Sequence, residues 1–302
     1  MRMRNLVYAI LLLMVVLPFS CNSTGEPGLV ITDSGYFEMH GLNVLVFNNS
    51  YSEGHQGGVE IIQHGNRVAT NGNLRLDASS GQWQPVPMLG EGFQKVGCSP
   101  QQIGLLSRKV DVENNKISLN CSYPDWGRKD KGFNPVIYPD LEIKYKVKVQ
   151  ASGNAFTITV DLEEPLPDEW VGEVGYNLEL FPGDLYGKTY AMDRETGIFP
   201  RQANGPVYQN RNDESEAVPL ASGNKLIVAP ESDLQRISFE SSTGELMLLD
   251  GSLKHNNGWF VIRSLVPANT TALSIYPSTA SIKALLVFCV SSGRRLRSSS
   301  LS

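Results

Sequence analysis

The sequence predicts an all-β protein: a large antiparallel β-sandwich with long loops, a supersandwich being one form that its length allows. Three observations predict it. The run Leu141-Glu-Ile-Lys-Tyr-Lys-Val-Lys-Val149 alternates strictly between apolar residues and Glu or Lys, the period of a strand with one face on a core and one in water. Turn dipeptides such as Gly65-Asn66, Asn71-Gly72 and Gly153-Asn154 recur between short apolar runs, and Gly and Asn accept the positive φ that hairpin turns need. No stretch carries a convincing amphipathic-helix period. The composition agrees. Of 302 residues, 41% are hydrophobic, enough for a sizeable core, and 28 Gly with 17 Pro supply many turns.

In chain order, Tyr36–His40 and Asn43–Phe47 flank Gly41-Leu42 as a hairpin. Gly58–His64 follows, then Arg67–Ala69 and Asn73–Leu76 on either side of Asn71-Gly72. Ile103–Val112 and Lys116–Cys121 surround Glu113-Asn114-Asn115. The alternating run ends at Gly153-Asn154 and returns as Ala155–Leu162. Later strands are expected at Val174–Phe181, Lys225–Val228, Arg236–Glu240, Glu245–Leu249 and Gly258–Arg263. Pro182–Ala221 carries few strand signals and is expected to lie over the sheets as loop. Many short strands with frequent turns indicate a sandwich or barrel.

The first residues have a different character. Arg2 and Arg4 precede the apolar run Leu6–Leu17, which is too short to span a bilayer comfortably and fits the apolar region of a secretory signal. Leu17-Pro-Phe-Ser-Cys21 then resembles the box at which a bacterial lipoprotein is acylated. Residues 1–20 are therefore expected to be a signal peptide, Cys21 a lipid attachment site, and 21–28 a polar tether. Buried methylenes of such a lipid anchor at about 0.8 kcal/mol each. An ordinary cleaved signal with an incidental cysteine is the alternative. The expected locale is the bacterial cell surface or periplasm, with a membrane as partner through Cys21. The β-sandwich domain is expected over 29–273, and an irregular tail over 274–302.

The net charge is −5, although Lys283, Arg294, Arg295 and Arg297 crowd the tail. The rest is more acidic still, which argues against a nucleic-acid partner. Cys98 and Cys121 could pair in an oxidising compartment, leaving Cys289 over. No Cys or His spacing suggests a metal, His40, His55, His64 and His255 are scattered, and no cofactor motif is present.

No catalytic signature stands out. Asp125, Asp130, Asp184, Asp193, Glu163 and Glu164 are read as solvated charges, because glycoside cleavage needs two carboxylates at a set separation that sequence does not fix. The aromatic residues are more suggestive, since sugar C–H faces stack on indole while Asn, Asp and Arg read hydroxyls. Trp83, and Trp126 with Arg128 in Cys121-Ser-Tyr-Pro-Asp-Trp-Gly-Arg-Lys-Asp130, are carbohydrate-binding candidates. So are Arg201 and Asn204 in Gly197-Ile-Phe-Pro-Arg-Gln-Ala-Asn-Gly-Pro206. Trp259, in Gly258-Trp-Phe-Val261, is expected in the core. Trp170 also lies near turns.

Four runs together resemble an N-terminal region of bacterial surface glycoside hydrolases of family 9. They are Gly35–Phe47, Gly58–Leu76, Gly197–Pro206 and Gly258–Asn269. The likeness extends from about Gly28 to about Leu273 and includes no catalytic motif. It implies a leading β region followed by an immunoglobulin-like domain and a helical barrel with a D-A-G-D run that cleaves β-glucan by inversion. This chain contains no such run, so no catalytic residue carries over. After Leu273 the pattern degrades into Ala284–Val290 and a Ser/Arg-rich tail. In another reading frame, suitable codons for the tail from Cys289 can spell a run close to the opening of the family's next domain. The expectation is a frameshift that truncates a longer enzyme. A natural disordered tail is the alternative.

Three functions follow as expectations. The first is a non-catalytic sandwich module at the front of a truncated surface endoglucanase-like hydrolase, packing on downstream domains and touching polysaccharide. The second is a self-sufficient surface glycan-binding lipoprotein. The third is a sandwich-fold carbohydrate-active enzyme, a lyase or epimerase.

Overall fold

The computed structural model describes residues 28–51, 54–77, 83–85, 107–123, 140–202, 207–209, 215–254 and 258–278. Two large antiparallel sheets form a β-sandwich, as the sequence predicts. One sheet, of ten strands, runs in the order β1 (Val30–Ile31), β2 (Phe37–Met39), β3 (Leu42–Tyr51), β4 (Gly54–Gln63), β5 (Asn66–Asp77), β11 (Val174–Leu180), β20 (Phe260–Leu265), β19 (Leu246–Asp250) and β16 (Ala221–Gly223). Strand β6 (Trp83–Pro85) also pairs with β5. The other sheet, of nine, runs β13 (Glu195–Ile198), β12 (Thr189–Met192), β17 (Lys225–Val228), β18 (Ile237–Ser241), β21 (Ala272–Ser278), β10 (Ala155–Leu162), β9 (Ile143–Ser152), β8 (Lys116–Tyr123) and β7 (Arg108–Asp111). A two-stranded piece joins β14 (Val207–Gln209) to β15 (Ser215–Ala217). Helix among the described residues includes a 3-10 turn at Asp168–Trp170 and one turn, α1 (Gly251–Lys254).

Alternation builds the core. In β8, β9 and β10 every second residue is buried, so Leu119, Val147, Ile158 and Val160 face inward while Lys144 and Lys146 face water. The β9–β10 hairpin closes on Gly153, at φ 59. From the other sheet come Phe37, Val44, Val59, Ile61, Leu74, Tyr176 and Leu178. Phe199 sits edge-on to Phe260 with ring centres 4.8 Å apart. Full burial of each such aliphatic or aromatic side chain stabilises by about 1.5–3 kcal/mol before entropy is counted.

The sheet edges are stitched by side chains. Asn115, at φ 48 in the β7–β8 turn, donates to the Leu29 carbonyl (2.7 Å) and accepts from the Ile31 amide (3.1 Å). Its amide thereby satisfies strand edge groups that would otherwise need water. Arg108 of β7 donates through Nε to the Val46 carbonyl (2.6 Å), and burial lowers its pKa.

Three expectations are corrected here. Asn71-Gly72 does not turn the chain: β5 continues through it, with a bulge, as one twelve-residue strand. Pro182–Ala221 is loop-rich, as expected, but it does not simply lie over the sheets. It holds the β12–β13 hairpin, which closes one edge of the nine-stranded sheet through β17. Its alternation is only four residues per strand, too short to stand out from turn-rich sequence. The sandwich also continues past Leu273. Strand β21 reaches Ser278, pairs with both β10 and β18, and buries Ile275.

Candidate functional site

Strand β5 creates the most unusual surface in the molecule. Its register slips twice against β4 and once against β11. A bulge sets two residues opposite one and re-aims their side chains. Here it sends neighbouring polar residues toward the carboxylates of adjacent strands. Arg67 Nε lies 2.8 Å from Glu60 Oε1, and Thr70 donates to Glu60 Oε2 at 2.9 Å. Asn71, held at φ 53, donates from Nδ2 to Glu179 Oε2 at 2.6 Å. Gly72 is needed beside it, because a Cβ there would come within 2.3 Å of the Tyr176 hydroxyl and 2.9 Å of the Val59 carbonyl.

Strand β11 continues the pattern. Val174, Tyr176, Leu178 and Leu180 face the core, so Asn177 and Glu179 take the opposite face. Residues paired across antiparallel strands share a face, and Asn177 is paired with Arg263. Arg263 donates to Asn177 Oδ1 (2.9 Å) and to the Glu173 carbonyl (2.7 Å). Arg75 Nη2 lies 3.6 Å from Glu179 Oε1. Burial pulls the Arg75 pKa down, and Glu179 partly restores it. The Arg75 Nε is buried with no hydrogen-bond partner. From the other sheet, Tyr145 donates to Asn73 Oδ1 (3.0 Å). Burial pushes both the Tyr145 phenol and the neighbouring Cys121 thiol well up.

Aromatic residues close one end of this polar row. Phe181 follows β11 and Trp259 precedes β20, which brings them side by side, since Leu180 is paired with Phe260. Their ring centres are 4.6 Å apart at an interplanar angle of 57°. Both rings are half-buried. The Arg67 guanidinium sits 5.7 Å above the Phe181 ring, within cation–π range.

Most of the sequence candidates lie outside the described residues, and the others do not join this row. Trp83 is paired opposite Asp77 in β6, and its side chain lies outside the described residues. So do Trp126, Arg128, Asn204, Cys21 and Cys98. Arg201 is exposed and caps the Tyr186 ring at 5.9 Å, away from the polar row. Trp170 is half-buried and packs against the core. His40, His64, Asp184, Glu163 and Glu164 are exposed. Asp193 is exposed too and accepts from the Asn224 and Lys225 amides at 2.9 and 3.0 Å, a turn lock. Two expectations need correction. Cys121 does not form a disulfide: its thiol is free and points into the core on the inward face of β8. Trp259 is not a core residue, because it sits one position before the inward Phe260 and so takes the opposite face.

Sequence reasoning missed Glu60, Thr70, Asn71, Arg75, Asn177, Glu179 and Arg263. Each lies on a strand where a polar residue reads as the water-facing half of an alternation. The usable signal was the near-continuous apolar character of β20, Phe-Val-Ile-Arg-Ser-Leu, which marks a strand buried on both faces. No group of three metal-ligating side chains occurs among the described residues. Among the same residues, no helix is long and apolar enough to cross a membrane. Chemically, the row is a hydrogen-bonding floor with an aromatic ledge at its end. Glu60 and Glu179 are each already engaged by an arginine and by a second donor.

No family model matches the chain, and no curated protein matches it. Matches do occur among solved structures. The crystal structure of the Slr1438 protein from Synechocystis sp. PCC 6803 aligns with 78% of this chain and 96% of its own, at 13% identity and a TM-score of 0.34. That of an aldose 1-epimerase candidate from Escherichia coli K12 aligns with 78% and 98%, at 11% identity and a TM-score of 0.30. Overlap this loose carries no activity across to the present chain.

Proposed function

We propose that the chain is a non-catalytic, glycan-contacting β-sandwich module of a surface-anchored glycoside hydrolase of family 9 type, acting in β-glucan degradation. The observation that carries its non-catalytic part is the engagement of Glu60 and Glu179. Each carboxylate is held by an arginine and by a hydroxyl or amide donor. Acid–base work on a glycosidic bond calls for a carboxyl group free to exchange its proton with substrate or water. Carboxylates held ionised by such partners tie strands together and can still accept from a sugar hydroxyl, but they are not poised to give up or take a proton. The family assignment rests on the four sequence runs given above, and the surface location on the leader and Cys21.

Two experiments test the reading. Sequencing the gene onward from the Leu273 codon in all three frames tests the parent enzyme. An immunoglobulin-like strand followed by a D-A-G-D barrel is the expected continuation, and a gene without one removes the hydrolase assignment. Incubating the purified chain with mixed-linkage β-glucan and with free aldoses tests the non-catalytic role. Neither new reducing ends nor accelerated anomer exchange is expected, and either one overturns it.

A further inference from the structure

We infer that the ledge formed by Phe181 and Trp259 is a stacking subsite for a neutral pyranose chain, with Arg67, Glu60 and Glu179 as its hydroxyl-reading flank. The inference gives the glycan contact of the proposed function a location, and rests on that part of it.

Four neighbouring strands bring the parts together. Glu60 comes from β4, Arg67 from β5, Phe181 from the end of β11 and Trp259 from the start of β20. Strands sit about 4.8 Å apart, so these residues form a line across the sheet of roughly 14 Å, several sugar rings long. Phe181 and Trp259 are half-buried, and a tilted pair at 57° offers two differently inclined faces. Arg67 is 54% exposed at its side chain and is fixed from two directions, by Glu60 at 2.8 Å and by the Phe181 ring. A long side chain this exposed gives up rotamer freedom to hold that position, and thereby presents its remaining donors in a set direction.

Independent support comes from Arg75. Its side chain is only 11% exposed, on the same face, its Nε has no acceptor, and its ion pair to Glu179 is long at 3.6 Å. A buried donor without an acceptor is costly, so this face carries polar capacity that the protein itself does not fill. Charge selects the class of sugar. Glu60 and Glu179 border the ledge, and the whole chain carries −5. Each of these carboxylates is matched by an arginine, so the flank offers paired acceptors and donors rather than one fixed charge, and neutral hydroxyls, which both donate to carboxylates and accept from guanidinium, suit it.

The test is native affinity electrophoresis and calorimetry of the full chain with cellohexaose, and with an oligogalacturonate as the charged counterpart. Binding of cellohexaose alone is expected. Phe181→Leu and Trp259→Leu keep an apolar side chain but remove the ring face, and each should weaken binding by about tenfold, near 1.4 kcal/mol. Arg67→Ala, at an exposed position, should weaken it without altering the far-UV spectrum. Unchanged binding in all three variants, preference for the oligogalacturonate, or no binding of either sugar overturns the ledge. Catalysis by the parent chain with normal ledge variants would instead sink the non-catalytic reading and leave the ledge standing.

Discussion

Strand β9 alternates buried and solvent-facing residues along its whole length, whereas β11, at the middle of the other sheet, buries six of its seven. Both obey the same two-residue pleat. The nine-stranded sheet puts its outer face in water, so Lys144 and Lys146 need no protein partner to be tolerated there. The ten-stranded sheet carries Asn177, Glu179, Arg75 and Arg263 under cover, where each polar atom must find a partner inside the protein or leave a cost. One sheet shows what alternation does when solvent completes it. The other shows what happens when much of the second face is under cover, and that is where candidate chemistry collects.

The largest test of this contrast is Glu179→Leu. It strands the buried Arg75 guanidinium without its carboxylate, and breaking such a pair from one side costs about 3–5 kcal/mol. Urea unfolding should show a lower midpoint with an unchanged slope. Adding Arg75→Met should recover most of the loss, because an apolar replacement of both partners removes the unmet charge. A Glu179→Leu protein as stable as the parent would mean that the cluster is solvated and the two sheets do not differ in this way.

Glycines give the next comparison. Gly72, under the Tyr176 hydroxyl and beside the Val59 carbonyl, has no room for a Cβ. Gly153, in the β9–β10 turn, has nothing within 4 Å of its would-be Cβ and only a positive φ to satisfy. Gly72→Ala should cost about 2 kcal/mol through overpacking. Gly153→Asn should cost well under about 1 kcal/mol, since Asn tolerates left-handed backbone. The same urea experiment reads both. Equal costs would mean that backbone strain, not close packing, governs the two positions.

These positions also mark where the sequence was readable. The strands Ala155–Leu162 and Lys225–Val228 fall where period and turn chemistry place them, because their alternation is completed by water on one side. Asn71-Gly72 read as a turn for a sound local reason: both residues suit turns, and Asn71 does adopt a positive φ. The surrounding sheet turned that preference into a bulge, and only the pairing of β5 with β4 and β11 reveals it. Arg75 and Glu179 were illegible for a similar reason. They are 104 positions apart, and each reads locally as a solvent-facing residue between two leucines. Trp259 was misplaced by composition, since an indole amid apolar residues suggests a core, while the one-residue offset from Phe260 decides its face.

A smaller effect separates ion pairs of the two sheets. Lys148 and Asp161 meet at 2.5 Å on the wet face, with side chains 34% and 37% exposed. Arg75 and Glu179 are farther apart, at 3.6 Å, but only 11% and 16% exposed. Double-mutant cycles should give a coupling below about 1 kcal/mol for the exposed pair, and a larger one for the buried pair despite its longer contact. If distance rather than burial set the strength, the order would reverse.

The smallest effect is a titration at the edge of the nine-stranded sheet. Asp111 accepts from the Asn114 side chain at 2.9 and 3.0 Å and from the Asn114 amide at 3.2 Å, with Lys116 at 3.6 Å. The Asn114 hydrogen bonds, more than the lysine charge, hold its carboxyl below the usual aspartate value. A carboxylate whose folded pKa is depressed contributes stability above the unfolded value and loses it as pH falls through the folded one. Side-chain NMR titration should therefore find Asp111 ionised at a pH where ordinary aspartates are already half protonated. Asn114→Ala should move the titration upward, because it removes the side-chain donors, while Lys116→Met should move it less. A larger shift from Lys116→Met would assign the depression to charge rather than to the turn. The outer face of this sheet would then be organised by the same ionic logic as the enclosed cluster, and the contrast between the two sheets would narrow to solvent access alone.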